Sequence, residues 1–442
     1  MEPLVLDALF ENATILTMVD EAPVVTGDVG VRDGRIVLVG PAPQGATAKR
    51  RIPCQGKILM PGLVNAHAHT AMAVLRGYAD DYPLKAWLFE KVFPAEARLD
   101  QRAVLAGTRL GFAEQICTGT TCISDMYYHE PAIARLALEV GMRVSLCNAV
   151  VALSPDWSME TDRGVQETLV LAREYQGAGD GLVQAEASIH GEYTSNPRVW
   201  AQVAELAHRY DLGIQLHLSE TREEHQEALD RNQGKTPAQA LAAAGVFERR
   251  VTAAHCVWVS PEDMALLAEK GASAVHCPVS NLKLGSGMAD VAALRRAGVN
   301  VALGTDGCCS NNTHDLFEEV KLAALLAKGQ HLDPTVLSAY DVLKMATVNG
   351  ARAQGRLDVG QVAEGMRADL ILLDLDHPTT RPSYDPMGAV VYSATGRSVT
   401  LTMVQGRILY EDGAFTTIDL EQAYQEAEGY AKPLVLEESD KA

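Results

Sequence analysis

The pattern of apolar and polar positions divides the chain into three textures. Residues 1–58 carry short β-rich runs broken by turn residues. Ala13–Met18 is one, and Val29–Gly40 reads as a hairpin turning at Asp33-Gly34, a dipeptide suited to a tight two-residue turn. From 59 to about 350, short apolar runs alternate with stretches rich in Ala, Leu, Glu and Arg. The runs are Leu59–Ala66, Thr120–Asp125, Arg143–Val150, Leu182–Ile189, Gly213–Leu218, Arg250–Ala254, Ala272–Val275 and Val299–Leu303. Between and after them lie the predicted helices Asp100–Ile116, Glu130–Glu139, Val199–Tyr210, Pro237–Ala243, Pro261–Lys270, Asp290–Ala297, Leu316–Lys328 and Thr335–Asn349. Beyond 360 short strands return, over Ala368–Asp374 and Val399–Tyr410, the latter turning at Gln405-Gly406.

Strands that alternate with helices predict a parallel sheet, because parallel neighbours need crossover connections. Eight such units closing on themselves predict an α/β fold of the (β/α)8 type, a TIM-like barrel whose usual size is about 250 residues. The strand segments at the two ends of the chain are expected to meet as one small β-sandwich. The organisation read from the sequence is therefore 1–58 and 359–415 for the sandwich and 59–358 for the barrel. A helix over Asp419–Tyr430 and a charged tail, Glu437–Lys441, make up 416–442.

A barrel of this kind builds its active site at the C-terminal ends of its strands, so those ends are where chemistry is sought. His67 and His69 close the first run and Asp125 the second. Asn148 falls in the third, and His190 follows the fourth. His217 and Glu220 follow the fifth, His255 the sixth, His276 the seventh and Asp306 the eighth. Two histidines at i and i+2 of a strand point to the same face. Scattered core histidines would not keep this phase. His67, His69 and His217 supply three neutral nitrogens and Asp306 a carboxylate, a set suited to Zn²⁺ or Fe²⁺. A metal there lowers the pKa of bound water from about 15.7 to roughly 7. Asp306, flanked by Gly304 and Gly307, can touch the metal and also accept a proton from the attacking water. Glu220, three residues past a ligand, suits a proton shuttle; capping of the following helix is the competing role. His255 is placed to orient the nucleophile or polarise the attacked centre.

Composition narrows the partners. Fifty-seven acidic against 38 basic residues give a net charge of −19, which disfavours nucleic acid and anionic membranes. The N-terminus shows no leader pattern, no apolar run reaches membrane-spanning length, and the eight cysteines form no C-x-x-C motif. A cytoplasmic protein is expected, with Cys308-Cys309 read as local packing in preference to a soft metal site or a redox switch.

The motifs MPGLVNAHAHTAMAVLRG (60–77), WLFEKVFPAEARL (87–99), SDMYYHE (124–130), LHLSET (216–221), AHC (254–256), SNLKLGSG (280–287) and GTDGCCSNN (304–312) carry a resemblance. The chain resembles the amidohydrolase superfamily, in the branch of aminohydrolases related to 5′-methylthioadenosine/S-adenosylhomocysteine deaminase. That resemblance implies one Zn²⁺ per chain, held at His67, His69, His217 and Asp306. The fourth run has no lysine of the kind that bridges two metals in relatives. It further implies that Glu220 is the proton shuttle, that His255 orients the nucleophile, that Glu96 contacts the ribose hydroxyls and that His190 contacts the purine ring. Trp87 lies in the same matching segment as Glu96 and is taken as a substrate contact. Where such enzymes carry an arginine after Gly-Met-Arg, this chain has Asn148, which cannot make a bidentate contact with a carboxylate. Adenosine, 5′-deoxyadenosine or methylthioadenosine therefore fits better than adenosylhomocysteine unless Arg163 substitutes. The implied reaction is hydrolytic deamination of an adenosine-type nucleoside to its inosine analogue, by a chain that can form homo-oligomers. The competing chemistries are deamination of guanine, an oxidised purine or a pterin, and triazine amino- or chlorohydrolysis. A non-catalytic binding role is disfavoured by the complete ligand set.

Overall fold

Gly62 is the point where the chain passes from one sheet to another. In the computed structural model, which describes residues 4–436, the apolar run at 59–66 is two strands, not one. Ile58–Pro61 pairs with Thr14-Ile15 and with Leu370–Leu373, while Leu63–His69 opens a separate parallel sheet. A Cβ at position 62 would lie 2.1 Å from the Thr121 side chain, so only glycine allows this passage. Apolar runs of both sheets adjoin here without a polar break, which is why the pattern alone merges them.

The parallel sheet contains Leu63–His69, Thr120–Tyr127, Arg143–Asn148, Val183–Gly191, Gly213–Leu218, Val251–His255, Ser273–His276 and Asn300–Leu303, each paired with its sequence neighbour. The eighth strand resumes at Asp306-Gly307, which pairs with Ala68-His69 of the first and closes the ring. Gly304 makes that closure sterically feasible: a Cβ there would come within 2.9 Å of the His67 backbone. The third strand stops at Asn148 rather than Val150. Side chains such as Ile123, Val144, Leu216 and Val301 are fully buried, so the barrel is a packed core rather than a pore.

Most of the longer helices start where the sequence supplies a cap, Glu130–Val140 being an exception. Asp100, Asp162, Asn196 and Asp290 each accept a backbone N–H of the first turn, and Thr221, Thr236 and Ser260 form capping boxes. The helix expected over 335–349 is two, Ala339–Met345 and Val348–Ala353, because Thr347 has non-helical backbone angles. Leu420–Glu426 continues as a wider turn to Ala431. The tail expected at 437–441 lies outside the described residues, as does the start of the chain at 1–3. No helix among the described residues is long and apolar enough to cross a membrane.

Both chain ends build one mixed sheet of nine strands around Phe10, Ile15, Val31, Leu59, Leu370 and Met403. One of its strands, Thr47–Pro53, escapes the hydrophobic pattern because Lys49, Arg50 and Arg51 sit side by side on an exposed strand. Arg143, opening the third barrel strand, reaches across to Asp369 beside Leu370–Leu373. It donates from Nε at 2.6 Å and from Nη2 at 3.0 Å, with both side chains 1% exposed. Removing one member of a buried pair leaves an uncompensated charge. Asp369→Ala is therefore expected to cost about 3–5 kcal/mol, read as a lowered denaturation midpoint; an unchanged midpoint would show that the clasp contributes nothing.

Candidate active site

Four side chains converge at the closure of the barrel. His67 and His69 lie on one face of the first strand, His217 stands at the end of the fifth, and Asp306 begins the short strand that seals the ring. The ring nitrogens of the three histidines lie within 4.8 Å of one another. His69 Nδ1 donates to the Met126 carbonyl at 2.6 Å and His217 Nδ1 to the His190 carbonyl at 2.5 Å. These bonds fix the tautomer and turn both Nε2 lone pairs inward, where they face each other at 3.4 Å. His67 Nε2 is buried with no hydrogen-bond partner in the protein. Burial pushes the His67 ring down to about 4 and holds His217 well below the ordinary histidine value, so both are neutral donors. For His69, burial opposes the charged form, but the hydrogen bond to and negative charge of Asp306, with the Met126 carbonyl and Asp125, together outweigh it, raising the ring to about 9. The 3.2 Å contact between His69 Nε2 and Asp306 Oδ1 thus calls for positive charge at this point, which a proton or a divalent cation supplies. Converging lone pairs, an orphaned ring nitrogen and a carboxylate fit a divalent metal.

Around this centre stand the groups expected to move protons. Glu220 is 4% exposed, with Oε2 at 3.6 Å from His255 Nε2. It is not the cap of the next helix: Thr221 and Glu224 take that role. Glu224 instead grips the loop, accepting the backbone N–H groups of Ser219 and Glu220 at 3.1 and 2.7 Å. Burial raises the Glu220 carboxyl above its ordinary value, more than the neighbouring His255 lowers it. Burial likewise opposes ionisation of Asp306, yet the His67 and His69 rings hold it well below the carboxylate range. One carboxyl is thus inclined to keep a proton and the other to lose it. The backbone is strained at these positions, since Ser219, His255, Cys256 and Asp306 all have φ between 47° and 71°. Such non-glycine conformations cost about 1–3 kcal/mol each and persist where surrounding structure enforces them.

A cavity of about 530 Å³ opens above the centre, bordered by His69, His217, Glu220, His255 and Asp306. Trp87 and Glu96 from the 84–96 segment and His190 from the fourth strand line it too. The Glu96 Oε1 and Tyr127 hydroxyl are buried without hydrogen-bond partners in the protein. Burial pushes the Glu96 carboxyl up to about 7 and the His190 ring down to about 3. A second cavity of about 810 Å³ shares Phe93, Glu96, Tyr127 and Tyr128 with the first and extends to Leu153 and Arg163.

Not every strand-end residue joins this site. Asn148 turns away from both cavities and donates to Glu167 Oε2 at 2.8 Å. Asp125 accepts the Thr70 N–H at 2.9 Å and His276 is buried outside the cavity. Conversely, Tyr127, Tyr128, Tyr193 and Phe93 line the cavity although strand-phase reasoning, keyed to titratable groups, passes over aromatic residues. A second cluster, Glu114, Cys308 and His314, already holds a cation: Arg76 pairs with the Glu114 carboxylate at 2.6 Å.

Comparison with known proteins places this architecture. The amidohydrolase family model matches residues 58–409. A 5-methylthioadenosine/S-adenosylhomocysteine deaminase of Moorella thermoacetica is 41% identical over 421 residues, covering 94% of this chain and 97% of the relative. A 5′-deoxyadenosine deaminase of Methanosarcina mazei is 40% identical, covering 97% of this chain and 98% of its own. Among solved structures, an adenosine deaminase from Xanthomonas campestris with bound zinc superposes with a TM-score of 0.91 at 33% identity, over 98% of this chain and 99% of that one. The barrel with its ligand-bearing strand ends and these full-length similarities together establish that the chain belongs to the amidohydrolase family, in the branch of the 5-methylthioadenosine/S-adenosylhomocysteine and 5′-deoxyadenosine deaminases.

Proposed function

We propose that this protein hydrolyses the exocyclic amino group from the adenine ring of an adenosine-type nucleoside, with one Zn²⁺ held by His67, His69, His217 and Asp306. The observation that carries the reading is the pairing of that four-ligand cluster with Glu220 and His255 in a cavity that also presents Glu96. When bound, the divalent cation lowers the pKa of water from about 15.7 to roughly 7 and so supplies a nucleophile at neutral pH. Glu220, whose carboxyl burial keeps protonated more readily than usual, delivers its proton to the ring nitrogen beside the amino-bearing carbon. His255 and Asp306 both border the cavity, where His255 would orient the attacking water and Asp306 would accept its proton. Return of a proton to the amino group breaks the carbon–nitrogen bond, and ammonia leaves.

His190 and Trp87 are placed to border the purine, and Glu96 to accept two ribose hydroxyl groups. The 5′ end of such a nucleoside would extend toward the second cavity, whose walls include Phe93, Leu99, Val104, Val151 and Leu153. Arg163, the only formal cation among its lining residues, is already paired with Glu167 at 2.8 Å. With Asn148 facing Glu167 as well, the 5′ group best accommodated is small and uncharged, as in methylthioadenosine, 5′-deoxyadenosine or adenosine. The eight cysteines are free thiols, which supports a reducing, cytoplasmic setting.

A ribose role for Glu96 has a measurable consequence. A charge-assisted hydrogen bond is worth about 1.5–3 kcal/mol, so Glu96→Ala is expected to raise KM for nucleosides about 10- to 100-fold. Turnover of free adenine should hardly change; equal losses for base and nucleoside would contradict the role. The sign of the pH effect follows from the carboxyl sitting near 7. Below that pH the protonated form predominates and no longer accepts both hydroxyl groups, so kcat/KM for the nucleoside falls as pH drops through 7. The Glu96→Gln variant should lose this limb of the profile.

A further inference from the structure

The stretch SNLKLGSG follows the seventh strand and has no part in the chemistry described above, yet it touches every proton-handling group of the site. Its helix, Pro278–Lys283, and the turn after it place three polar side chains against three catalytic ones. Ser280 Oγ donates to Asp306 Oδ2 at 2.6 Å. The Asn281 Oδ1 lies 2.8 Å from His255 Nδ1. Ser286 Oγ donates to Glu220 Oε1 at 3.1 Å. All three are at most 3% exposed, so none of these bonds competes with bulk water.

The segment is itself tied down. Ser286 N–H donates to the Asn281 carbonyl at 2.8 Å, and the Ser286 carbonyl accepts from Trp258 Nε1 at 2.7 Å. Lys283 Nζ anchors the end of the helix to Asp80 at 2.6 Å and to the Cys309 carbonyl at 3.1 Å. At the other end Glu319 Oε2 accepts the Val279 N–H at 3.2 Å. Seven consecutive residues therefore form a rigid bracket under groups contributed by the fifth, sixth and eighth strands.

Resting on the functional reading above, we propose that residues 280–286 are the positioning element of the reaction, and that Asn281 fixes the working tautomer of His255. The Asn281 carboxamide oxygen is an acceptor only, so the His255 nitrogen facing it carries the proton. The other nitrogen, Nε2, then presents a lone pair toward Glu220 and the attacking water. In the opposite tautomer an N–H would point at that water and could no longer accept from it. The Ser286 hydroxyl occupies Oε1 of Glu220, and Ser280, together with Ser310 Oγ at 3.0 Å, occupies Oδ2 of Asp306, while Oδ1 accepts the Gly307 N–H at 2.9 Å and lies 3.2 Å from His69 Nε2.

The test uses the zinc-loaded full-length enzyme. Asn281→Leu keeps the volume but removes the acceptor; Asn281→Asp keeps the acceptor. Loss of such an outer contact typically costs 10- to 100-fold. The leucine variant is expected to lose about that much kcat, with KM for a nucleoside and zinc content unchanged. The aspartate variant should stay within about tenfold of the wild type. A leucine variant as active as the wild type, an aspartate variant as impaired as leucine, or a loss confined to KM overturns the proposal. Nitrogen-15 spectra of histidine-labelled wild-type protein, with His255 assigned by its absence in His255→Asn, read the tautomer without reference to activity. A protonated Nδ1 and bare Nε2 support the assignment, and a protonated Nε2 refutes it. An enzyme inactive on every nucleoside would defeat the functional reading while leaving the tautomer readout standing.

Discussion

Replacing Glu220 by glutamine is expected to lower kcat about 10²- to 10⁴-fold, the usual contribution of a general acid–base group. The amide keeps the shape and can still accept from Ser286, so the cavity and its nucleoside contacts should survive. What it loses is a proton that can be given up and taken back. Because the carboxyl acts on charge that develops only during reaction, KM should change by no more than about threefold. A variant with near-normal turnover would remove Glu220 from the mechanism. A variant with an unchanged kcat but a raised KM would reassign it to binding.

The second large effect concerns the metal. Removing it by chelation is expected to abolish deamination, because a bound cation contributes several kcal/mol to stabilising developing charge, and about three or more orders of magnitude in rate follow. Zn²⁺ should restore activity at one equivalent per chain. His217→Ala should lower zinc content and activity together, since it removes one of three converging nitrogens and leaves His67 and His69 on a single strand. Ligand binding to the folded state also stabilises it, so the metal-free protein should melt earlier and recover its midpoint when zinc is added. Full activity in metal-free protein, or zinc retained undiminished in His217→Ala, would contradict the ligand assignment.

The strand-end logic made much of this site readable in the sequence. His67, His69, His217, Glu220, His255 and Asp306 converge because a parallel barrel delivers every strand's C-terminal end to one face, and a sequence shows where strands end. Asn148 and His276 obey the same phase yet stand outside the cavity. Phase gives the end of a strand but not the rotation of a side chain, and Asn148 is turned aside by Glu167 on the following helix. The division at Gly62 was hidden because the runs on either side are equally apolar, and the Thr121 contact that requires glycine is a tertiary one. Ser280, Asn281 and Ser286 lie in a motif that carries the resemblance, but with no ionisable group among them the sequence assigns them no role. Their importance comes only from which three residues the barrel places above them. Glu96 was legible through the motif that carries it, whereas Tyr127 and Tyr128 required the fold to bring the second strand beside the 84–96 segment.

The chemistry itself can be read in one assay. The zinc-loaded protein is incubated with adenosine, 5′-deoxyadenosine, 5′-methylthioadenosine, S-adenosylhomocysteine, guanine and a chlorinated or aminated triazine, and ammonia or chloride release is measured beside the organic product. The account predicts one ammonia per inosine-type product from the adenosine-type nucleosides, fastest for those with small uncharged 5′ groups. Turnover of guanine or the triazine with none of the nucleosides would contradict it.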